Sequence, residues 1–225
     1  MTPLDQSPIL VDRTYDELVM AIAACRLKPG ERIRQADLAE RLGVSRQPVS
    51  HALQLLKRQG LVEDVGRKGL AVARIDPLSL TALYQVRAAL DALAARLAAE
   101  RMRDGALTGT DRARLADCIA KGRSLGEDAG IERLVAADVA FHRLLNGLSG
   151  NAWIADTLEP QFPHMMRSMM VVLDDPGFRT RAWREHAAIA EMILAGRPAE
   201  AADAARIHAE AAGEETGRRL TTLSG

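Results

Sequence analysis

"LKPGERIRQADLAERLGVSRQPVSHALQLLKRQGLV", residues 27–62, is the stretch whose reading decides the fold. Pro29-Gly30 marks a turn. A short helix is expected over about Gln35–Leu42, stopped by Gly43. Ser45 then stands as the N-cap of a further helix, "RQPVSHALQLLKRQ", closed by Gly60. Pro48 falls in its first turn, where a missing N–H costs little. Upstream, Asp12–Ala24 carries Leu18, Val19, Ile22 and Ala23 at helical spacing. Downstream, "LVEDV" and "LAVARI" flank Gly66-Arg67-Lys68-Gly69, which reads as two short strands around a basic turn. Three helices and a hairpin make a winged helix-turn-helix. Its third helix is narrow enough for the major groove, and the wing can set Arg67 and Lys68 against the DNA backbone or the minor groove.

Charge agrees with that order. Formal net charge is zero, yet Arg26 to Arg74 holds 11 Lys+Arg against 5 Asp+Glu, and Ile75 to the end holds 18 against 21. A basic head on a mildly acidic body points to a nucleic acid as the head's partner. With 48% hydrophobic and only 3% aromatic residues, the chain favours close-packed helices over sheets. No apolar run reaches the roughly 18 residues of a membrane span, so no membrane partner is expected. The first residues lack the pattern of a secretory signal, and Cys25 and Cys118 have no ligand-like or redox spacing. A cytoplasmic location is the expectation.

The motifs in residues 27–62 closely resemble the N-terminal domain of the GntR family of bacterial transcription regulators. The matching pieces are P-G-x-x-I, L-A-x-x-L-G-V-S-R-x-P-V-x-x-A-L-x-x-L and G-L-V, and the resemblance covers about residues 10–75. It implies that Arg46, at the start of the recognition helix, contacts the operator. Where the family usually continues with a second DNA-reading arginine, this chain has Ser50-His51, and Ala36 stands where some members carry another. Base readout then rests on Arg46, Gln47 and His51, within a DNA-facing set of Arg34, Ser45, Arg46, Gln47, Ser50, His51, Arg67 and Lys68. The target sequence is expected to differ from the family's common half-site.

From Leu78 onward helical periodicity dominates. Breaks at Gly105–Gly109, Gly126–Gly130, Gly150-Asn151, Asp174–Gly177 and Gly196–Pro198 divide the remainder into six helices, an all-α bundle. The domains are therefore expected at 1–75, binding DNA, and 76–225, an all-α bundle.

The bundle's third helix raises a chemical question in "DVAFH". Leu134, Asp138, Phe141/His142, Leu145 and Leu148 share one face, so an acid and a histidine point inward. The fifth helix does the same with Trp183, His186, Ile189/Ala190 and Ile193. The sixth does so with Ala201, Ala204/Ala205, His208 and Ala211/Ala212. One inward histidine reads as a hydrogen-bonded core residue. Three with a carboxylate read as a metal set: Asp138, His142, His186 and His208. An O/N₃ donor set suits Zn²⁺, with Ni²⁺ and Mn²⁺ as alternatives, and is too nitrogen-rich for Ca²⁺ or Mg²⁺. On the first bundle helix Leu83, Arg87, Leu90, Ala94 and Leu97 form a face. Arg87 then either meets an effector carboxylate or pairs with a protein acid. "HMMRSMM" (164–170) supplies thioethers as core or as an adaptable wall.

"VRAALDALAARLAA", "DVAFHRLL…SGN", "REHAAIAEMILAG" and "AARIHAE" resemble the FCD effector domain, in its shorter VanR-like form, of the FadR subfamily. The resemblance implies a homodimer that binds a double-stranded DNA operator, mostly as a repressor released by ligand. It also implies a metal on Asp138, His142, His186 and His208 with a small carboxylate beside it. Two other readings compete: a metal-dependent enzyme acting on a small carboxylate, and a constitutive DNA-binding protein whose metal is structural. No spare acid or base accompanies the four ligands, which weighs against the enzyme.

Overall fold

The computed structural model describes residues 8–66, 69–126 and 129–224. They fall into two compact units divided between Ile75 and Asp76.

In the first unit, α1 (Pro8–Ala23) precedes a short strand β1 (Arg32–Ile33), then α2 (Gln35–Leu42) and α3 (Arg46–Arg58). Strands β2 (Val62–Asp64) and β3 (Leu70–Val72) follow. The three strands form an antiparallel sheet in the order β1-β3-β2, with Ile33 opposite Leu70 and Val62 opposite Val72. Two strands were expected. The third was hidden because a two-residue strand next to Pro29-Gly30 has no alternation to read, and it exists only by pairing with β3. Gly43 ends α2 at φ 64, where its N–H returns to the carbonyls of Ala39 and Glu40. A side chain at that φ would meet its own backbone, so glycine makes the turn of the helix-turn-helix. Leu18, Ile22, Val49, Leu53, Leu56, Leu61 and Val72 form the core beneath α3.

The second unit is helical: α4 (Pro77–Arg103), α5 (Gly109–Ser124), α6 (Ile131–Leu148), α7 (Ala152–Leu158), α8 (Phe162–Val172), α9 (Pro176–Leu194) and α10 (Pro198–Ser224). Several starts are written into the sequence. Asp76 and Asp175 cap α4 and α9 ahead of Pro77 and Pro176, and Thr108 with Asp111 forms a capping box on α5. Six helices were expected where the described residues show seven. The fourth is divided by a 3-10 turn over Glu159–Gln161, because Pro160 has no N–H to continue the ladder.

The longest helices, α4 and α10, pack together through small residues. Ala88, Ala94, Ala95 and Ala98 of α4 are buried, as are Ala201, Ala205, Ala209 and Ala212 of α10. On α5, Gly122 is a space requirement: a Cβ there would lie 2.0 Å from the indole of Trp183. Helix propensity alone would make Gly122→Ala stabilising by about 1 kcal/mol. Overpacking should reverse the sign, to a loss of about 1–3 kcal/mol in a chemical denaturation curve. A stabilised variant would refute the packing described here.

Candidate nucleic-acid interface and metal centre

On α3, Val49, Ala52, Leu53 and Leu56 face the core, and Arg46, Gln47 and His51 are exposed on the opposite side with Ser50 half-buried. Arg34 and Ser45 are also exposed and hold the N-cap positions of α2 and α3, but neither side chain makes a capping bond. Ser45 is the N-cap as expected, with the extended backbone a cap requires, but its hydroxyl makes no capping bond. The first turn of α3 thus presents a basic and polar edge carried on an apolar anchor. Arg67 and Lys68 lie outside the described residues.

In the second unit four helices bring ionisable side chains to one buried point. From α6 come Asp138 and His142, from α9 His186, from α10 His208 and from α4 Arg87. All are at most 6% exposed. The Nε2 atoms of His186 and His208 are 3.0 Å apart. Asp138 places Oδ1 3.6 Å from His186 Nε2 and Oδ2 3.7 Å from His142 Nε2. One nitrogen from each of the three imidazoles falls within 4.8 Å of the others. Donor atoms about 2.1 Å from one ion are about 3.0 Å apart at a right angle and about 3.4 Å apart in a tetrahedron. The observed separations lie close to that range.

The partners of these rings decide which nitrogens have lone pairs. His208 has Nδ1 2.8 Å from Glu185 Oε2. A carboxylate only accepts, so Nδ1 carries the proton and Nε2 of a neutral ring has the lone pair. At His142, Arg87 Nη2 donates to Nε2 across 2.5 Å, so that nitrogen also has a lone pair. Its Nδ1 lies 3.2 Å from Asp91 Oδ2, off the direction of a hydrogen bond. At His208 and His142 the tautomers are those that ligation by Nε2 demands, set by Glu185 behind His208 and by the Arg87 donor at His142. Burial pushes His142 below its ordinary pKa, and the Arg87 charge adds to this. His186 is held well below, by burial first and then by His208, His142 and Arg87 crowded around it. Both rings are therefore kept neutral, as ligands must be.

Sequence reasoning missed Asp91 and Glu185. Asp91 binds Arg87 through Nε–Oδ2 at 3.1 Å, one helical turn away and equally buried. Burial by itself would raise Asp91, but the facing His142 ring and the Arg87 guanidinium hold it below the usual carboxylate range. Of the two readings left open for Arg87, the described structure shows the protein acid. The expected stripe on α4 is also displaced by one position. Tyr84, Arg87, Ala88, Asp91, Ala94 and Ala98 are buried, and Leu83, Leu90 and Leu97 only partly so. Alanines rather than leucines face α10, because only small side chains let the two helices approach closely. Within "HMMRSMM", Met165, Met166, Arg167, Ser168 and Met169 are buried and His164 is half-buried, so the run is mostly core.

Space at the centre is small. Tyr84, Arg87, Asp138, Met169, Phe178 and His208 surround a cavity of about 10 Å³, roughly the room one water needs. Removing one member of the Arg87–Asp91 pair should leave a buried uncompensated charge. Asp91→Ala is expected to lose about 3–5 kcal/mol in urea denaturation, and Arg87→Met/Asp91→Leu to recover much of it. If the double variant loses as much as the sum of the single changes, the pair is not what stabilises this region.

Residues 10–72 match the family described as bacterial regulatory proteins, gntR family, and residues 82–211 match the FCD domain. A probable D-xylose utilization operon transcriptional repressor of Paenarthrobacter nicotinovorans is 31% identical over 210 residues, 90% of this chain and 86% of that protein. The uncharacterized HTH-type transcriptional regulator YdhC of Bacillus subtilis (strain 168) is 31% identical over 145 residues, 64% of this chain and 63% of YdhC. That alignment spans a little under two thirds of the Bacillus protein. Among solved structures, E. coli McbR/YncC shares the fold, with a TM-score of 0.77 at 19% identity over 96% of this chain and 99% of that one. Among the described residues no helix is long and apolar enough to cross a membrane. The chain belongs to the GntR family of bacterial transcription regulators, as a DNA-binding regulator that carries an FCD effector domain and not as an enzyme.

Proposed function

We propose that the protein is a cytoplasmic, homodimeric repressor, with residues 1–75 binding a two-fold operator and residues 76–225 forming the dimer and sensing a small organic acid. The observation that carries this reading is the buried set of Asp138, His142, His186 and His208, with one Nε2 lone pair set by Glu185 behind His208 and another by the Arg87 donor at His142. These four would hold a divalent transition metal, Zn²⁺ ahead of Ni²⁺ or Mn²⁺. When bound, the ion supplies a fixed positive charge and open coordination positions for a carboxylate. Arg87 draws on the same His142 lone pair that ligation needs. Its guanidinium is therefore free to receive an effector carboxylate once His142 is engaged elsewhere, while Asp91 keeps it charged and in place. A tenfold release of operator needs about 1.4 kcal/mol of differential effector affinity between the DNA-binding and released states.

Two experiments test the two ends of this reading. A dimer on a pseudo-palindrome is expected in light scattering and footprinting, and Arg46→Ala should weaken it by about 1–3 kcal/mol per head and relax base preference. Wild-type operator binding by Arg46→Ala would remove α3 as the reading helix. At the other end, His186→Ala/His208→Ala should purify without stoichiometric metal by elemental analysis and should stay on operator DNA when candidate acids are added. Retained metal, or a normal response to the acid, would exclude the proposed site.

A further inference from the structure

A second concavity lies between the end of α5, the start of α6 and the first turns of α9. It is an open groove of about 340 Å³, within the size range of small-molecule sites. Its floor is apolar and planar, made by the buried Leu134 and Trp183. Its rim carries Arg123, Arg179 and Arg184, and no acidic side chain lines it among the described residues.

The neighbours of these arginines show how selective that is. On α9, Arg181 is 3.6 Å from Glu185 and lies over the Phe178 ring. On α5, Lys121 pairs with Asp117 at 2.7 Å. These two cations, which do not line the groove, are neutralised. Among the described residues, Arg123, Arg179 and Arg184 have neither an ion pair nor a side-chain hydrogen bond. Gly122 lets α5 pack directly on the indole, since a Cβ there would lie 2.0 Å from it.

We propose that this groove binds a small organic anion with two or more negative charges beside a planar or apolar portion, a phosphate ester or a polycarboxylate. Guanidinium groups match both anions with paired N–H donors, and three of them call for more than one negative charge. The indole offers a face for the uncharged part of the ligand. The site is separate from the centre around Arg87, but its floor is shared with it. Trp183 stands edge-on to His186, with ring centroids 4.9 Å apart. An occupant of the groove therefore presses on the histidine cluster through one side chain.

The test uses the full chain with Trp153→Phe, which removes an indole that is 77% exposed and leaves Trp183 as the emitter. Metal is stripped beforehand and the chelator dialysed away, so the result does not depend on the metal reading and no polycarboxylate other than the probe is present. Pyrophosphate, citrate and phenyl phosphate are titrated at constant ionic strength. A saturable change in Trp183 emission is expected. Response to the two phosphorylated probes but not citrate assigns a phosphate ester, and the reverse assigns a polycarboxylate. Arg123→Ala/Arg184→Ala should raise the midpoint at least about tenfold, and the already paired Arg181→Ala less than about twofold. No saturation with any probe, or equal shifts in the two arginine variants, would overturn the proposal.

Discussion

A guanidinium, two carboxylates and three imidazoles are held out of water between four helices, and the second unit is arranged around their mutual satisfaction. None of them could sit there alone, because an isolated buried charge costs far more than a single apolar contact returns. Arg87 is charged because Asp91 is one turn below it, and Asp91 is ionised because Arg87 and His142 face it. His208 is oriented by Glu185. What results is a polar core with a defined proton on most nitrogens, a stricter arrangement than a hydrophobic core of the same size would impose.

Small residues make this arrangement possible. The alanine faces of α4 and α10 bring their backbones close, and Gly213 approaches so near that a Cβ there would lie 2.7 Å from Tyr84 Cβ. Close approach lets side chains on different helices meet within hydrogen-bond distance. Bulkier apolar residues at the same positions would bury more surface but would hold Arg87 and His208 apart. The few aromatics are concentrated where the polar cluster needs walls: Phe141 stacks on His186 at 4.1 Å, and Trp183 closes another side.

Much of this was legible in the sequence. The helix-turn-helix could be read because its boundaries are local chemistry: Pro29-Gly30, Gly43 in the left-handed region and Gly60 each act within a few residues. The inward set of Asp138, His142, His186 and His208 followed from period alone, since the apolar residues around them are strongly placed. The misses have a common cause. Asp91, Glu185, β1 and the buried stripe of α4 are defined by partners distant in sequence, and leucines at Leu83, Leu90 and Leu97 outweighed alanines in a periodicity argument. The division at Pro160 is different: proline gave a local signal there, but the flanking residues kept their helical spacing across it. The groove arginines were illegible for another reason. Charged residues on helices normally read as solvated surface, and only the pairing of their neighbours singles them out.

The closed centre sets a condition on any acid that enters it. A cavity of about 10 Å³ holds little more than one water, so an acid of the proposed kind would need a more open form. Its apparent affinity is then the intrinsic affinity multiplied by the fraction of molecules already open. The walls that can yield are unequal. Met169 is an unbranched thioether and adapts readily, whereas Tyr84 is tied to Ser168 by a 3.2 Å hydroxyl contact. Arg87 and Asp138 are bound into the charge network and move only with their partners. Rotation of the Met169 side chain breaks no ion pair of this network, whereas displacing α8 as a whole parts Ser168 from Tyr84 and opening toward α4 parts Arg87 from His142. Room beside Arg87 is therefore gained most easily by the Met169 side chain, and a shift of α8 against α4 costs the Tyr84–Ser168 contact as well.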